Sequence, residues 1–145
     1  MSVGPSVLWK YIEGLKTRDV GKVAEAVSED LVFISTGRTL TKSQFLDMLR
    51  SLYAAFPDWH YDHLDPERRG GVIAVKWRQW GTHTGTLVMP GTEPVEATGR
   101  TVTIPDQYFF YRVVDDEIVE IRPDPIPGGA PRGILEQIGV ETPPL

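Results

Sequence analysis

Residues 77–85 place tryptophan, glutamine and histidine side chains at alternating positions of one predicted strand. Because alternate residues of a strand point to the same side, Trp77, Gln79 and His83 are expected to share one face of the sheet. Such a face is typical of the wall of a cavity that holds a small hydrophobic molecule. A histidine there could transfer a proton or orient a carbonyl group, since its ring titrates near neutral pH. The same histidine could instead be a buried structural residue that the backbone or a neighbour satisfies.

The residues that the chain lacks restrict the chemistry further. There is no cysteine, which excludes disulfides, thiolate catalysis and cysteine-bound zinc. His60 and His63, three residues apart on a predicted strand, would point to opposite faces, so no metal site is expected. The G-x-S-x-G, phosphate-binding-loop and G-x-G-x-x-G patterns are also missing, which disfavours serine hydrolases and nucleotide-dependent enzymes. Any chemistry of this chain is therefore expected to use oxygen and nitrogen groups.

The composition is that of an ordinary globular chain. With 145 residues, of which 41% are hydrophobic and 24% charged, the chain fits one domain over residues 1–145. The net charge of -5 and the scattered lysines and arginines do not favour nucleic-acid binding. No apolar run is long enough to span a membrane, and the first ten residues lack the basic and apolar regions of a signal peptide. The expected location is cytoplasmic.

Three helices are predicted in the first half of the chain. Residues 7–15 carry apolar side chains at helical spacing, and residues 20–27 do so after Asp19, a favourable N-cap. The longest helix begins after Thr41, whose hydroxyl can accept a hydrogen bond from the first turn, and it ends at Pro57. Its one-sided apolar stripe is expected to face the core.

After this helix the hydrophobic period changes from 3.6 to 2, which is typical of strands. A tight turn is expected at residues 115–116, and Pro105 marks an edge or a bulge. Residues 89–96 suit a loop, and the prolines and glycines of residues 123–131 exclude regular structure before a short helix at 132–138. Together with an earlier strand at 31–35, the predicted strands are 59–64, 72–84, 99–104, 107–114 and 117–122.

Helices that precede a series of hairpin-connected strands indicate an α+β fold. We expect a cone-shaped, curved antiparallel sheet wrapped around the long helix, with the N-terminal helices beside it and a concave ligand site at the open end. Aromatic side chains at strand and helix spacing form the expected core, and some of them should contact the ligand. These are Phe33, Tyr53, Phe56, Trp59, Trp77, Phe109 and Tyr111.

Five segments follow one another in a fixed order: A-A-F-P-D-W-H (54–60), G-T-H-T-G (81–85), A-T-G-R-T-V (97–102), Y-R-V-V-D-D-E-I-V-E (111–120) and L-E-Q-I-G (135–139). With the order of the helices, they resemble the SnoaL-like polyketide cyclases, a branch of the nuclear-transport-factor-2-like and cystatin-like α+β cone proteins. The resemblance covers nearly the whole chain.

The resemblance implies a cofactor-free enzyme that closes a polyketide ring by intramolecular aldol condensation. It also implies that an aspartate near the last strand acts as general base and acid, and Asp124 is the nearest match. A carboxylate in a low-dielectric pocket can take a proton from a methylene between carbonyls and later deliver it to the aldol oxygen. The expected function is a cyclase or isomerase acting on a hydrophobic, polyketide-like carbonyl substrate, with Asp124 and His83 as catalytic residues. The expected substrate-binding residues are Phe33, Tyr53, Phe56, Trp59, Trp77, Gln79 and Phe109.

A second interpretation is a non-catalytic module of the same fold that binds a small ligand or acts as a dimeric interaction domain. The prolines on both sides of Asp124 favour it, as does the absence of a histidine from residues 108–110 on the preceding strand. In either case Trp80, which lies among polar neighbours on the outer face of its strand, predicts a homodimer through that face.

A third interpretation is an epoxide hydrolase of the same cone fold. This reaction would need a water molecule held between carboxylates that an arginine bridges. Asp58, Arg78 and Arg112 are the candidate residues for such a site.

Overall fold

The computed structural model describes residues 5–35, 38–88 and 93–140. Asp19 caps the second helix by accepting a hydrogen bond from the N–H of Lys22, and Thr41 forms a capping box with Gln44 at the third. Both predicted N-caps are therefore confirmed. The helices of the described residues are α1 (Ser6–Lys16), α2 (Val20–Ala26), α3 (Lys42–Ala55) and α4 (Arg132–Gln137). None of them is long and apolar enough to cross a membrane.

The strands form one curved, open sheet, so the α+β class is confirmed. Its order is β2-β1-β7-β6-β5-β3, and β4 pairs with β5 beside β3. The strands are β1 (Val27–Ser35), β2 (Arg38–Leu40), β3 (His60–His63), β4 (Glu67–Arg69), β5 (Val72–Thr82), β6 (Thr101–Val114) and β7 (Glu117–Pro123).

One strand pair departs from the expected antiparallel sheet. β1 and β7 run parallel, with Phe33 opposite Ile121, whereas the other named strand pairs are antiparallel. Hydrophobic alternation reveals which face of a strand is buried, but it carries no information on the direction of its partner. The sheet is therefore mixed, and its parallel pair joins the first and last strands of the chain.

The two strand segments predicted around Pro105 form the single strand β6, which contains a bulge at that proline. Trp77 pairs with Gln107 and Gln79 with Ile104, so β6 has one residue more than β5 between these pairs. At the other end of β6, residues 115–116 both have positive φ, which suits the tight hairpin turn into β7. Of the loop predicted at residues 89–96, the first four residues lie outside the described part of the chain.

The core lies between the inner face of the sheet and the helices. On β5 the side chains of Ile73, Val75 and Trp77 are buried in the core and Arg78 is exposed, as the periodicity predicted. Ala74 departs from the alternation, since it has the opposite parity and is also buried. The stacked rings of Phe33 and Phe45, 5.0 Å apart, join β1 to α3. The expected aromatic core is confirmed. Six of its seven members are buried, and the seventh, Tyr53, is half-buried.

Candidate functional site

An apolar cavity of about 70 Å³ lies between the sheet, α1, α3, and α4 with the segment that leads into it. This volume is smaller than the roughly 150 Å³ of an apolar protein cavity that holds benzene. A ligand with several rings must therefore displace part of the lining or extend beyond it. Apolar side chains such as Phe33, Leu49, Leu52, Phe109 and Ile134 form most of the lining, and its polar members are Tyr11, Tyr61, Trp77, Gln79 and Tyr111.

Four of the predicted substrate-binding residues line this cavity, and three do not. Phe33, Trp77, Gln79 and Phe109 are in the lining. The other three, which pack behind it, are Phe56, Trp59 and Tyr53. The ring of Phe56 packs between the rings of Trp59 and His83, at centroid distances of 5.2 and 5.1 Å.

Trp77, Tyr111 and Tyr11 form a buried polar cluster in the lining. The indole N–H of Trp77 donates to the Tyr111 hydroxyl at 2.9 Å. The Tyr11 side chain adjoins that of Tyr111, and their rings meet edge to face at 5.3 Å. Burial raises the pKa of both tyrosines well above the ordinary value, so both hydroxyls stay protonated at neutral pH.

A second hydroxyl pair joins α3 to β3. The hydroxyls of Tyr53 and Tyr61 lie 2.8 Å apart, and Tyr61 lines the cavity. Burial raises the pKa of Tyr53 to about 12, and it raises the pKa of Tyr61 as well. Because neither tyrosine ionises near neutral pH, this pair offers neutral hydrogen-bonding groups rather than charge.

Gln79 brings a primary amide into the cavity. It is 6% exposed, and its Oε1 accepts a hydrogen bond from the indole N–H of Trp59 at 3.3 Å. Since an indole can only donate, this contact fixes which end of the amide faces Trp59. The Nε2 group of Gln79 is therefore the end that is left for other partners.

His83 is fully buried, at 0% exposure, but it is not among the residues that line the cavity. Its Nδ1 accepts from the N–H of Thr98 at 3.2 Å and lies 3.0 Å from the Thr98 hydroxyl. A neutral ring held in this way carries its proton on Nε2, which has no hydrogen-bond partner. Burial lowers the pKa of His83, although backbone groups of Gly85 and Val95 oppose this shift. The described geometry matches the structural interpretation of this residue more closely than a contact with the ligand.

Asp124 is half-buried directly after β7, beside a second cleft of about 360 Å³. Its N–H donates to the carbonyl of Tyr108, and its own carbonyl accepts from Nε2 of Gln107 at 2.8 Å. Ala130 and Pro131 line both this cleft and the apolar cavity. Asp124 therefore lies next to the cavity, outside its lining, and no contact joins it to His83.

The residues considered for epoxide hydrolysis do not converge. Arg78 pairs with Asp106 at 3.2 Å on the exposed outer face of the sheet. Asp58 instead accepts a hydrogen bond from the N–H of Thr82, which lowers the pKa of this carboxyl group. Arg112 is exposed on β6. Among the described residues there is also no cluster of three or more histidine, cysteine, aspartate or glutamate residues that could hold a metal ion.

Sequence reasoning missed the hydroxyl groups of the cavity. Tyr11 was visible only as part of the apolar stripe of α1, and Tyr111 only as a core aromatic. Strand alternation does place Tyr61 on the face of Gln79, its partner in β5, and Tyr111 on that of Phe109. Which hydroxyls meet depends on how α1 and α3 pack against the sheet, and the local sequence pattern carries no such information.

Comparisons with known proteins agree on the fold. AclR from Streptomyces galilaeus, assigned as a hydroxylase, is 19% identical with a TM-score of 0.69, over 92% of this chain and 79% of its own. A protein of Jannaschia sp. CCS1 assigned as a SnoaL-like polyketide cyclase is 15% identical with a TM-score of 0.70, over 98% and 99%. IdmH from Streptomyces antibioticus, assigned as a polyketide cyclase, is 21% identical with a TM-score of 0.62, over 82% and 88%. At these identities the likeness establishes the fold alone.

No curated protein sequence matches the chain at a significant level. The family model for the SnoaL-like polyketide cyclases, however, matches residues 6–123, from the start of α1 to the end of β7. The match includes the strands and the helices α1 and α3 that line the cavity. It stops just before Asp124, so the lining residues of 130–135 lie beyond it. The chain belongs to the SnoaL-like polyketide cyclase family.

Proposed function

We propose that this protein binds a hydrophobic carbonyl compound in its apolar cavity and converts it as a cyclase or isomerase, by acid–base chemistry without a cofactor. The observation that carries the proposal is the cavity itself, which is apolar over most of its lining and contains a few polar groups that could orient a ligand. Membership of the family supports the reaction class. A protein of similar fold, TerC, was co-crystallised with polyporic acid; it is 12% identical, with a TM-score of 0.64 over 92% of this chain and 95% of its own.

In this proposal Asp124 is the acid–base group, and the substrate reaches it by extending out of the cavity. The cavity of about 70 Å³ is too small for a molecule of several rings, and the cleft beside Asp124 adds about 360 Å³. Ala130 and Pro131 border both spaces, so a long ligand that leaves the cavity past them would meet the Asp124 carboxyl group. Three hydrogen bonds hold the backbone of Asp124 in place. Its N–H donates to Tyr108, and its carbonyl accepts from Gln107 and from the N–H of Ile126.

Replacing the carboxyl group by an amide tests this role. Asp124→Asn should lower kcat by about 10²- to 10⁴-fold on whichever ketone of a polyketide-like panel the wild type converts, since general acid–base catalysis contributes about that factor. Ligand affinity should stay nearly unchanged, because Asp124 does not line the cavity. The matched control is Asp116→Asn in the exposed β6–β7 turn, where asparagine also tolerates positive φ. Turnover by Asp124→Asn at the wild-type rate would exclude Asp124 as the acid–base group.

One observation favours a second candidate function, ligand binding without catalysis. None of the residues that line the cavity in the described part of the chain is an aspartate, glutamate or histidine. A ligand held entirely within the cavity would therefore meet no carboxylate. Tight binding of panel compounds by the wild type, without turnover of any of them, would favour this function over the enzyme.

A further inference from the structure

The polar groups of the cavity offer more hydrogen-bond donors than the described protein groups use. The indole of Trp77 can only donate, so the Tyr111 oxygen is its acceptor, at 2.9 Å. The Tyr111 and Tyr11 side chains adjoin each other, and a hydrogen bond between their hydroxyls would use only one of their two hydrogens, whichever of them donates. The other hydroxyl hydrogen has no acceptor among the described residues.

Gln79 adds a second source of free donors two residues farther along β5, about 7 Å away on the same face. Its oxygen is occupied by the indole N–H of Trp59, so the amide presents its N–H₂ end to other partners. No hydrogen bond to that nitrogen is formed within the described part of the chain. Tyr111 and Gln79 can each both donate and accept hydrogen bonds. In each case a tryptophan N–H occupies the oxygen, so the donor group of the side chain remains free for a ligand.

We propose that the Tyr111–Tyr11 hydroxyl pair and the Gln79 amide form a donor site that holds a carbonyl or enolate oxygen of the bound ligand. The inference rests on the proposed function and adds to it the chemistry of the ligand's polar end. That end is a hydrogen-bond acceptor, such as a ketone, quinone or enolate oxygen. Ligands whose polar end can only donate, such as ammonium groups, are excluded.

The surroundings of these groups favour an acceptor oxygen over other polar groups. No charged side chain lines the cavity in the described chain, so a cation would find no counter-ion there. Burial raises the pKa of Tyr11 and Tyr111, which keeps their hydroxyls protonated and able to donate. A hydroxyl that itself accepts a hydrogen bond is a stronger donor, because bonds in a chain polarise one another. Negative charge that develops on a substrate oxygen during enolisation would be stabilised at this position.

The test uses two probes of nearly equal size, acetophenone, which has a carbonyl group, and ethylbenzene, which has none. Tyr111→Phe in the full chain should weaken acetophenone binding about tenfold and change ethylbenzene binding by less than about twofold, because one neutral hydrogen bond is lost. The matched control is Tyr108→Phe, which removes a hydroxyl from the outer face of the sheet and should leave both affinities unchanged. Titration calorimetry measures each affinity.

A second measurement uses only the wild-type protein, so its result does not depend on whether a variant folds. The ¹³C resonance of carbonyl-labelled acetophenone should move downfield on binding, relative to the same compound in an aprotic solvent, as expected for a carbonyl that accepts hydrogen bonds. Ethylbenzene binding without that carbonyl shift, or equal losses for both probes in Tyr111→Phe, would overturn the donor site while leaving the cavity as a binding site. Failure of the wild type to bind either probe would overturn the donor site as well, whereas the proposed function fails only if the wild type neither binds nor converts any longer ketone of the panel.

Discussion

The tyrosines around the cavity connect stability to pH at the scale of single residues. Tyr11, Tyr61 and Tyr111 are at most 5% exposed, and their side chains lie in the largely apolar lining of the cavity. Burial disfavours the phenolate, which is why the pKa of each is raised in the folded chain. In the unfolded chain the same groups ionise near pH 10.

We therefore expect the protein to lose stability as the pH rises above about 10. Above that pH the unfolded chain releases protons that the folded chain retains, so the free energy of unfolding falls with each further rise in pH. The loss continues through the folded-state pKa values, of which that of Tyr53 is about 12. Urea unfolding across this pH range, with tyrosinate absorbance recorded in parallel, measures both effects.

Replacing Tyr61 by phenylalanine should make this alkaline loss less steep, since one of the buried groups is removed. If the buried tyrosines ionised near pH 10 while the chain remained folded, the packing of these hydroxyls would differ from the one described. Their burial was predictable from strand and helix spacing. Their pairing was not, because Tyr11 and Tyr111 are a hundred positions apart in the sequence.

At the scale of elements, the segment after β5 is fixed against the end of α3. The N–H groups of Thr84 and Gly85 both donate to the carbonyl of Ala55, at 3.1 and 3.0 Å. A Cβ atom on Gly85 would collide with the carbonyl oxygen of Ala54. Glycine is therefore required here by the close approach of two backbones, and this contact places β5 relative to the long helix.

Gly85→Ala should lower the free energy of unfolding by about 1–3 kcal/mol, the usual cost of overpacking a tight contact. Gly71→Ala in the β4–β5 turn is the matched control, since a Cβ atom there would meet nothing within 4 Å. Chemical denaturation of the two variants measures the difference. Equal stabilities of the two would mean that the segment can move away from α3 without cost.

The elements themselves were largely predictable from the sequence, and their pairing was less so. The N-cap residues Asp19 and Thr41 predicted where two helices begin, because capping is a local interaction between a side chain and the next turn. The faces of β5 followed from alternation alone. An antiparallel sheet was expected, but β1 pairs in parallel with β7, since the choice of partner depends on the whole path of the chain. The sequence identified Asp124 as a candidate catalytic residue. Its location beside the cavity was not predictable, because it depends on a hydrogen bond from Gln107, which is distant in the sequence.

At the scale of the whole molecule, the outer face of the sheet remains the predicted homodimer interface. Trp80 is half-buried there, with its ring 4.4 Å from that of His60. Tyr108 and Phe110 stack on the same face, and Arg69 and Arg122 cover their rings. Aromatic rings and arginines are enriched in protein interfaces, which supports association through this face.

We expect sedimentation equilibrium to give a dimer for the wild type and a shift toward the monomer for Trp80→Glu, which places a charge in the interface. Ser6→Glu on α1, an exposed position on the helix side of the sheet, should leave the association unchanged. A wild-type chain that stays monomeric at high concentration would exclude this interface. Cavity ligands should bind equally well to either form, because the cavity lies on the opposite side of the sheet.

The parallel pairing of β1 with β7 also determines when the protein can fold. Phe33 and Ile121 are neighbours in the sheet, yet they are 88 positions apart in the 145-residue sequence. Contacts between such distant segments are slow to form, because the entropy of closing a long loop is lost before the contact is gained. On the ribosome β1 emerges early and cannot join its parallel partner until β7 has been synthesised. Until then its apolar residues Leu31 and Phe33 lack this partner, so the nascent chain is exposed to aggregation for most of its synthesis.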